Sequence, residues 1–213
     1  MNFIEIYDNA LTPEMCKDII KYFEECPDDL KHKGQIYGEN HDDVRVDKSY
    51  KDSTDVWMDF NNWLEPDKIL ASRLLPHIEK YREKYKEIDN VAVWELSSLY
   101  NLQKYKPGQG YHNPHCENMD GPSARILAWM FYLNTVTDKG GTYFTNYDYT
   151  TEAVEGRLVI WPAYWTHTHH GVMSETQTKY IATGWYDFQN KFSFEDMIAV
   201  SYTHLTLPTK VYV

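Results

Sequence analysis

Two short clusters in the chain carry side chains that can hold a metal. The first is His115-Cys116-Glu117, and the second lies in the run WPAYWTHTHHGV, residues 161–172. On a β-strand, residues i and i+2 point to one face, so His115 and Glu117 converge while Cys116 points away. His167 and His169 are spaced in the same way. Two imidazoles and one carboxylate, with three positions left open, form the donor set that holds iron(II) where dioxygen is activated. Two open positions can take a bidentate 2-oxo acid, and the third dioxygen. The candidate ligands are His115, Glu117 (or Asp120 in its place) and one of His167, His169 and His170. An oxo acid also needs a cation for its distant carboxylate. Lys179, in TKYIATGWY (178–186), supplies an ammonium if its strand pairs with the second cluster, and a tyrosine hydroxyl can add a hydrogen bond.

Such clusters need strands to hold them. From about residue 91, runs rich in Leu, Val, Tyr, Trp and Thr alternate with turn signals at Pro107-Gly108, Asp120-Gly121-Pro122, Gly140-Gly141 and Glu155-Gly156. That texture predicts several short strands in an all-β sandwich or barrel. Before it, residues 3–7 read as a short strand. Thr12 then caps a helix opened by Pro13, with Ile19, Ile20, Tyr22 and Phe23 on its buried side. Residues 30–55 read as a polar surface loop. Ile69, Leu70, Leu74, Ile78, Tyr81 and Tyr85 recur at helical spacing, predicting a second helix over about 67–87, kinked or broken at Pro76. The chain thus divides into an N-terminal helical and strand buttress (1–90) and a β-rich core (91–199). Residues 200–209, VSYTHLTLPT, look like the translation of a transposon end used in sequencing libraries, so 200–213 is expected to be a non-native tail.

Composition narrows the function classes. A hydrophobic share of 42% with 15% aromatics supports a real core. A formal charge of −11 repels phosphate backbones and disfavours general nucleic-acid binding. Cys16, Cys26 and Cys116 are odd in number and hold no CxxC pair, which suits a reducing compartment. With neither a secretory signal nor a membrane-length apolar run, the expected location is the cytoplasm.

The order of the motifs adds a family resemblance. LQKYKPGQGYHNPHCE (102–117), RILAWMFYLN (125–134), GGTYF (140–144), GRLVIWPAYWTHTHHGV (156–172) and TKYIATGWY follow one another. In that sequence they resemble the prolyl 4-hydroxylase-like branch of the iron(II)/2-oxoglutarate oxygenases, in the small form common in phage and marine microbial genomes. The resemblance covers about residues 94–188. It implies a mainly β fold with N-terminal helices, a double-stranded β-helix or jelly roll. It implies iron(II) on His115, Glu117 and His169, with 2-oxoglutarate and dioxygen as co-substrates and ascorbate keeping the iron reduced. Lys179 would bind the distal carboxylate of 2-oxoglutarate, Tyr132 would hydrogen-bond it, and Tyr105 would line the pocket. The implied reaction couples oxidative decarboxylation of 2-oxoglutarate to hydroxylation of an organic substrate, with peptidyl proline the leading candidate and small molecules still open. Glu117 departs from the pattern, since most members carry Asp there, one methylene shorter. Two other readings stand beside this one: a non-catalytic metal-binding jelly roll, and a zinc hydrolase, which leaves Lys179 without a task. Arg125 is expected to pair with a carboxylate. Trp129, Trp161, Trp165 and Trp185 are expected in the core, Cys116 as buried packing, and His112 in the pocket or at the surface.

Overall fold

The structure, a computed structural model, describes residues 1–37, 44–118 and 124–189. Asp120 and the 200–213 tail lie outside the described residues. The described residues hold twelve strands: β1 (Glu5–Tyr7), β2 (Lys31–Lys33), β3 (Ile36–Tyr37), β4 (Val44–Arg45), β5 (Thr54–Asp59), β6 (Trp94–Tyr105), β7 (Arg125–Tyr132), β8 (Thr142–Phe144), β9 (Tyr149–Thr151), β10 (Leu158–Pro162), β11 (His169–Gly171) and β12 (Lys179–Phe188). They also hold two α-helices, α1 (Pro13–Glu25) and α2 (Glu65–Lys84), both before β6. Among the described residues, no helix is long and apolar enough to cross a membrane.

The helices start where the side chains dictate. Thr12 accepts a hydrogen bond from the Met15 N–H, and Pro13 occupies the first turn, where its missing N–H costs nothing. Cys16, Ile19 and Phe23 then bury one face. Helix α2 runs through Pro76 as one helix, so of the kink or break expected there the break does not occur. Its hold on the core explains this: Leu70, Leu74, Ile78 and Tyr81 are buried on either side of the proline. At its start, the buried Asp67 carboxylate accepts from the Leu64 N–H and the Tyr100 hydroxyl, both at 2.6 Å.

Seven strands form one antiparallel sheet in the order β1-β10-β7-β12-β6-β5-β2. Alternation along β7 serves both of its faces. Leu127, Trp129 and Phe131 pack under the helices, while Ala128, Met130 and Tyr132 face the other way, towards Phe144 of a small β11-β8-β9 sheet. A bridge between His115 and His169 adds the 115 segment to the small sheet's edge. Two facing antiparallel sheets, with helices outside the larger one, make a double-stranded β-helix.

Residues 30–55 are not the loose polar loop expected of them. Strands β2, β3, β4 and the start of β5 lie there, and Lys51, Ser53 and Asp55 are buried. Lys51 Nζ meets Asp55 Oδ2 at 2.5 Å, and Ser53 donates to Asp55 Oδ1 at 2.7 Å. Charges that read as solvated in the sequence satisfy one another inside. The same stretch pairs with the segment leading to His115, through Asp52 N–H to Gly110 O and His112 N–H to Tyr50 O.

Candidate metal centre

Backbone hydrogen bonds bring the two clusters together. His115 N–H donates to His169 O at 2.9 Å, and His169 N–H returns to His115 O at 2.8 Å. The two imidazoles therefore lie side by side, with ring centroids 4.5 Å apart. Each ring is then oriented by a carbonyl two residues back. His115 Nδ1 lies 2.9 Å from Asn113 O, and His169 Nδ1 lies 2.8 Å from His167 O. A carbonyl only accepts, so each Nδ1 carries the proton and each Nε2 can present a lone pair. Both Nε2 atoms face Glu117 Oε1, from His115 at 3.7 Å and from His169 at 3.3 Å. The three donors lie within 4.8 Å of one another, the only such group among the described residues. Donors about 2.1 Å from a cation and at right angles sit roughly 3 Å apart, so this set fits one first-row divalent ion.

The surroundings keep the donors in ligand form. Tyr111 stacks on His115 at 3.7 Å, and Phe144 and Trp161 pack against His169. Burial, reinforced by positive charge at His169, pushes the His115 imidazolium down to about 4, so the ring is neutral at neutral pH. Burial alone would raise the Glu117 carboxyl. At the low pH where the imidazoles are protonated, a hydrogen bond from His169 and the charges of His115, His169 and Arg125 outweigh it and hold the group well below the usual carboxylate range.

Glu117 Oε2 points elsewhere. It accepts the Trp185 indole N–H at 2.7 Å, and Arg125 Nη1 lies 3.6 Å away. Arg125 thus pairs with a carboxylate as expected. Trp129 and Trp161 are core residues as expected, and Cys116 is buried. Trp185 is only half-buried and serves the carboxylate, which the sequence reading missed. Trp165 corrects the expectation more sharply: it is 73% exposed, because it begins a short 3-10 turn (Trp165–His167) and not a strand.

The neighbouring histidines do other work. His167 is buried with both nitrogens engaged, Nε2 at Asn2 O (2.7 Å) and Nδ1 at Thr166 Oγ1 (2.9 Å). Its carbonyl orients His169. His170 follows His169 on the strand and lies beside Tyr143, with ring centroids 5.2 Å apart. His112 is half-buried in the segment leading to His115.

Lys179 begins β12 directly opposite Tyr105 of β6, so both side chains leave the same face of the large sheet. Its Nζ lies 4.9 Å from the centre of the Tyr105 ring and donates to Gly140 O at 3.0 Å. A Cβ built on Gly171 would sit 3.6 Å from this ammonium, which places Lys179 against the strand of His169. Burial pulls the ammonium down to about 8. Tyr132 leaves the same face beside Ile181, but its hydroxyl is shared by Thr142 Oγ1 (2.9 Å) and Thr151 Oγ1 (2.7 Å).

Residues 100–187, which carry all three donors and Lys179, match the model of the 2OG-Fe(II) oxygenase superfamily. Over that segment the chain resembles a 2OG-Fe(II) oxygenase, an enzyme that uses iron(II), 2-oxoglutarate and dioxygen. Solved structures share its fold. The viral collagen prolyl hydroxylase of Paramecium Bursaria Chlorella virus-1, in its 2OG complex, is 15% identical with a TM-score of 0.63, over 88% of this chain and 97% of that one. A Pseudomonas putida prolyl-4-hydroxylase is 15% identical with a TM-score of 0.64, over 89% and 95%. A Trichoplax adhaerens prolyl hydroxylase, in complex with a hypoxia inducible factor oxygen degradation domain peptide fragment, is 17% identical with a TM-score of 0.68, over 93% and 88%. No curated protein matches the chain.

Proposed function

We propose that this oxygenase holds iron(II) on His115, Glu117 and His169, anchors 2-oxoglutarate through Lys179, and hydroxylates a prolyl residue in a peptide. The observation that carries the reading is the convergence of two imidazole Nε2 atoms and one carboxylate oxygen, with a buried ammonium against the strand of His169. The peptide substrate is supported by the prolyl hydroxylases that share the fold, one of them in complex with a peptide fragment. Three buried thiols, Cys16, Cys26 and Cys116, support a reducing, cytoplasmic location.

The residues divide the work between them. Asn113 O and His167 O hold the two rings with Nε2 inward, so no reorganisation is needed when a cation arrives. Lys179 offers a positive charge to the distal carboxylate of 2-oxoglutarate, and Tyr105 walls that end of the pocket. Tyr132 braces the facing sheet through Thr142 and Thr151, and either threonine can release the hydroxyl to a carboxylate. Bound together, the metal and 2-oxoglutarate supply the activation of dioxygen that couples decarboxylation, to succinate and carbon dioxide, with hydroxylation of the substrate.

The test is succinate formation by the full chain given iron(II), 2-oxoglutarate and a proline-bearing peptide. Succinate and a peptide gaining the mass of one oxygen are expected, both lost in His169→Ala. Succinate made equally by His169→Ala would remove the metal assignment. Succinate with no peptide that accelerates it would remove only the prolyl substrate.

A further inference from the structure

The Glu117 carboxylate divides its oxygens between two directions. Oε1 faces the Nε2 atoms of His169 and His115, at 3.3 Å and 3.7 Å. Oε2 accepts the Trp185 N–H at 2.7 Å, with Arg125 Nη1 at 3.6 Å. Arg125 lies 3.7 Å over the Trp185 ring and also donates to Glu117 O at 3.2 Å. One guanidinium therefore braces the indole, the carboxylate and the backbone of the same ligand. The strand is shaped for this. The register of β12 shifts against β6 between Gly184 and Tyr186, and against β7 between Tyr186 and Asp187. Such irregularities re-aim side chains, and Trp185 is the residue inside the first shift. Across from it on β7 stands Ala128, a small residue.

Glutamate has one more rotatable bond than aspartate, so its carboxylate can turn and offer both oxygens to a cation. Two-oxygen ligation would occupy one of the positions that an oxo acid and dioxygen need. We propose that Trp185, braced by Arg125, is a positioning residue that holds Glu117 as a one-oxygen ligand and so keeps three coordination positions open. This inference rests on the metal assignment above. Hydrogen bonds to an ionised carboxylate are among the strong ones, and partners of metal-ligating groups change metal affinity about 10–100-fold.

The experiment uses the full chain with manganese(II) alone as probe, in wild type, Trp185→Phe, Glu117→Asp and the double variant. Trp185→Phe keeps a ring against Arg125 and removes only the N–H. It is expected to weaken manganese binding about tenfold by chelator competition and to change the electron paramagnetic resonance spectrum of the bound ion. In the Glu117→Asp background the same change should cost much less, because the shorter carboxylate no longer depends on the indole. Unchanged affinity and spectrum in Trp185→Phe would overturn the inference. So would equal losses in both backgrounds, which would mean the indole serves the fold and not Glu117. Should Trp185→Phe not fold, Arg125→Met removes the brace and carries the same expectations. A wild type that does not bind manganese overturns the metal assignment and this inference with it. A wild type that binds, with an indifferent Trp185→Phe, overturns this inference alone.

Discussion

Lys179 shows how burying one charged side chain costs stability. Its folded ammonium titrates near 8 instead of 10.5 because burial strips its water. Between those values the unfolded chain binds the proton and the folded one does not, so this group makes stability rise with pH across that window. Below about pH 8 the penalty is fully present, roughly 3 kcal/mol. Lys179→Met should therefore raise the melting temperature of the metal-free protein at pH 7, with the gap closing as pH approaches about 10.5. The same variant should bind 2-oxoglutarate at least about tenfold more weakly, because a buried carboxylate would then lack its countercharge. Equal melting temperatures at pH 7 would deny the burial cost, and unchanged co-substrate affinity by calorimetry would deny the role. In wild type, affinity for 2-oxoglutarate should fall as pH rises past about 8, where the ammonium is lost. At this scale donor chemistry was legible in the sequence, because side-chain type is a local property, whereas the strand expected under His115 and Glu117 is absent: His115 makes an isolated bridge and Glu117 lies in a turn.

Strand β12 is the element on which the site depends most. It carries Lys179 at one end and Trp185 near the other, and it lies between β6 and β7 in the large sheet. Gly184 lets it lie close to its neighbours: a Cβ there would come 2.5 Å from Trp129 Cζ2 and 2.8 Å from Tyr100 Cβ. Gly184→Val should therefore cost roughly 1–3 kcal/mol in urea denaturation, and it should also weaken metal binding by displacing Trp185. Thr12→Ala removes the cap of α1, far from the metal centre in sequence, and should cost about 1 kcal/mol with manganese affinity intact. Comparable metal affinity in both variants would mean that β12 does not position the centre. Helix α1 could be read from Thr12-Pro13 because a cap is a local signal. The strands within 30–55 could not, because Lys51 and Asp55 look like solvated charges until β6 and Tyr111 close over them.

At the scale of the molecule, two apolar cores sandwich the large sheet and neither contains His115, Glu117 or His169. The fold should thus stand without the ion. Chelator-treated protein is expected to keep its far-ultraviolet circular dichroism, and manganese at about a hundred times its dissociation constant should add roughly 2.7 kcal/mol of stability. Unfolding on chelation would show that the ion is structural. The amino-acid sequence alone determined the β-rich plan, the helices before it and the donor types, since periodicity, capping and side-chain chemistry act over a few residues. Only the tertiary structure decided which histidine lies beside Glu117. His167 and His169 share type and spacing, and they differ in where their nitrogens find partners: His167 at Asn2, and His169 towards Glu117. It also decided the place of Trp185, whose bond to Glu117 spans 68 residues. Such contacts arise from how sheets stack, and no local pattern in a sequence encodes that.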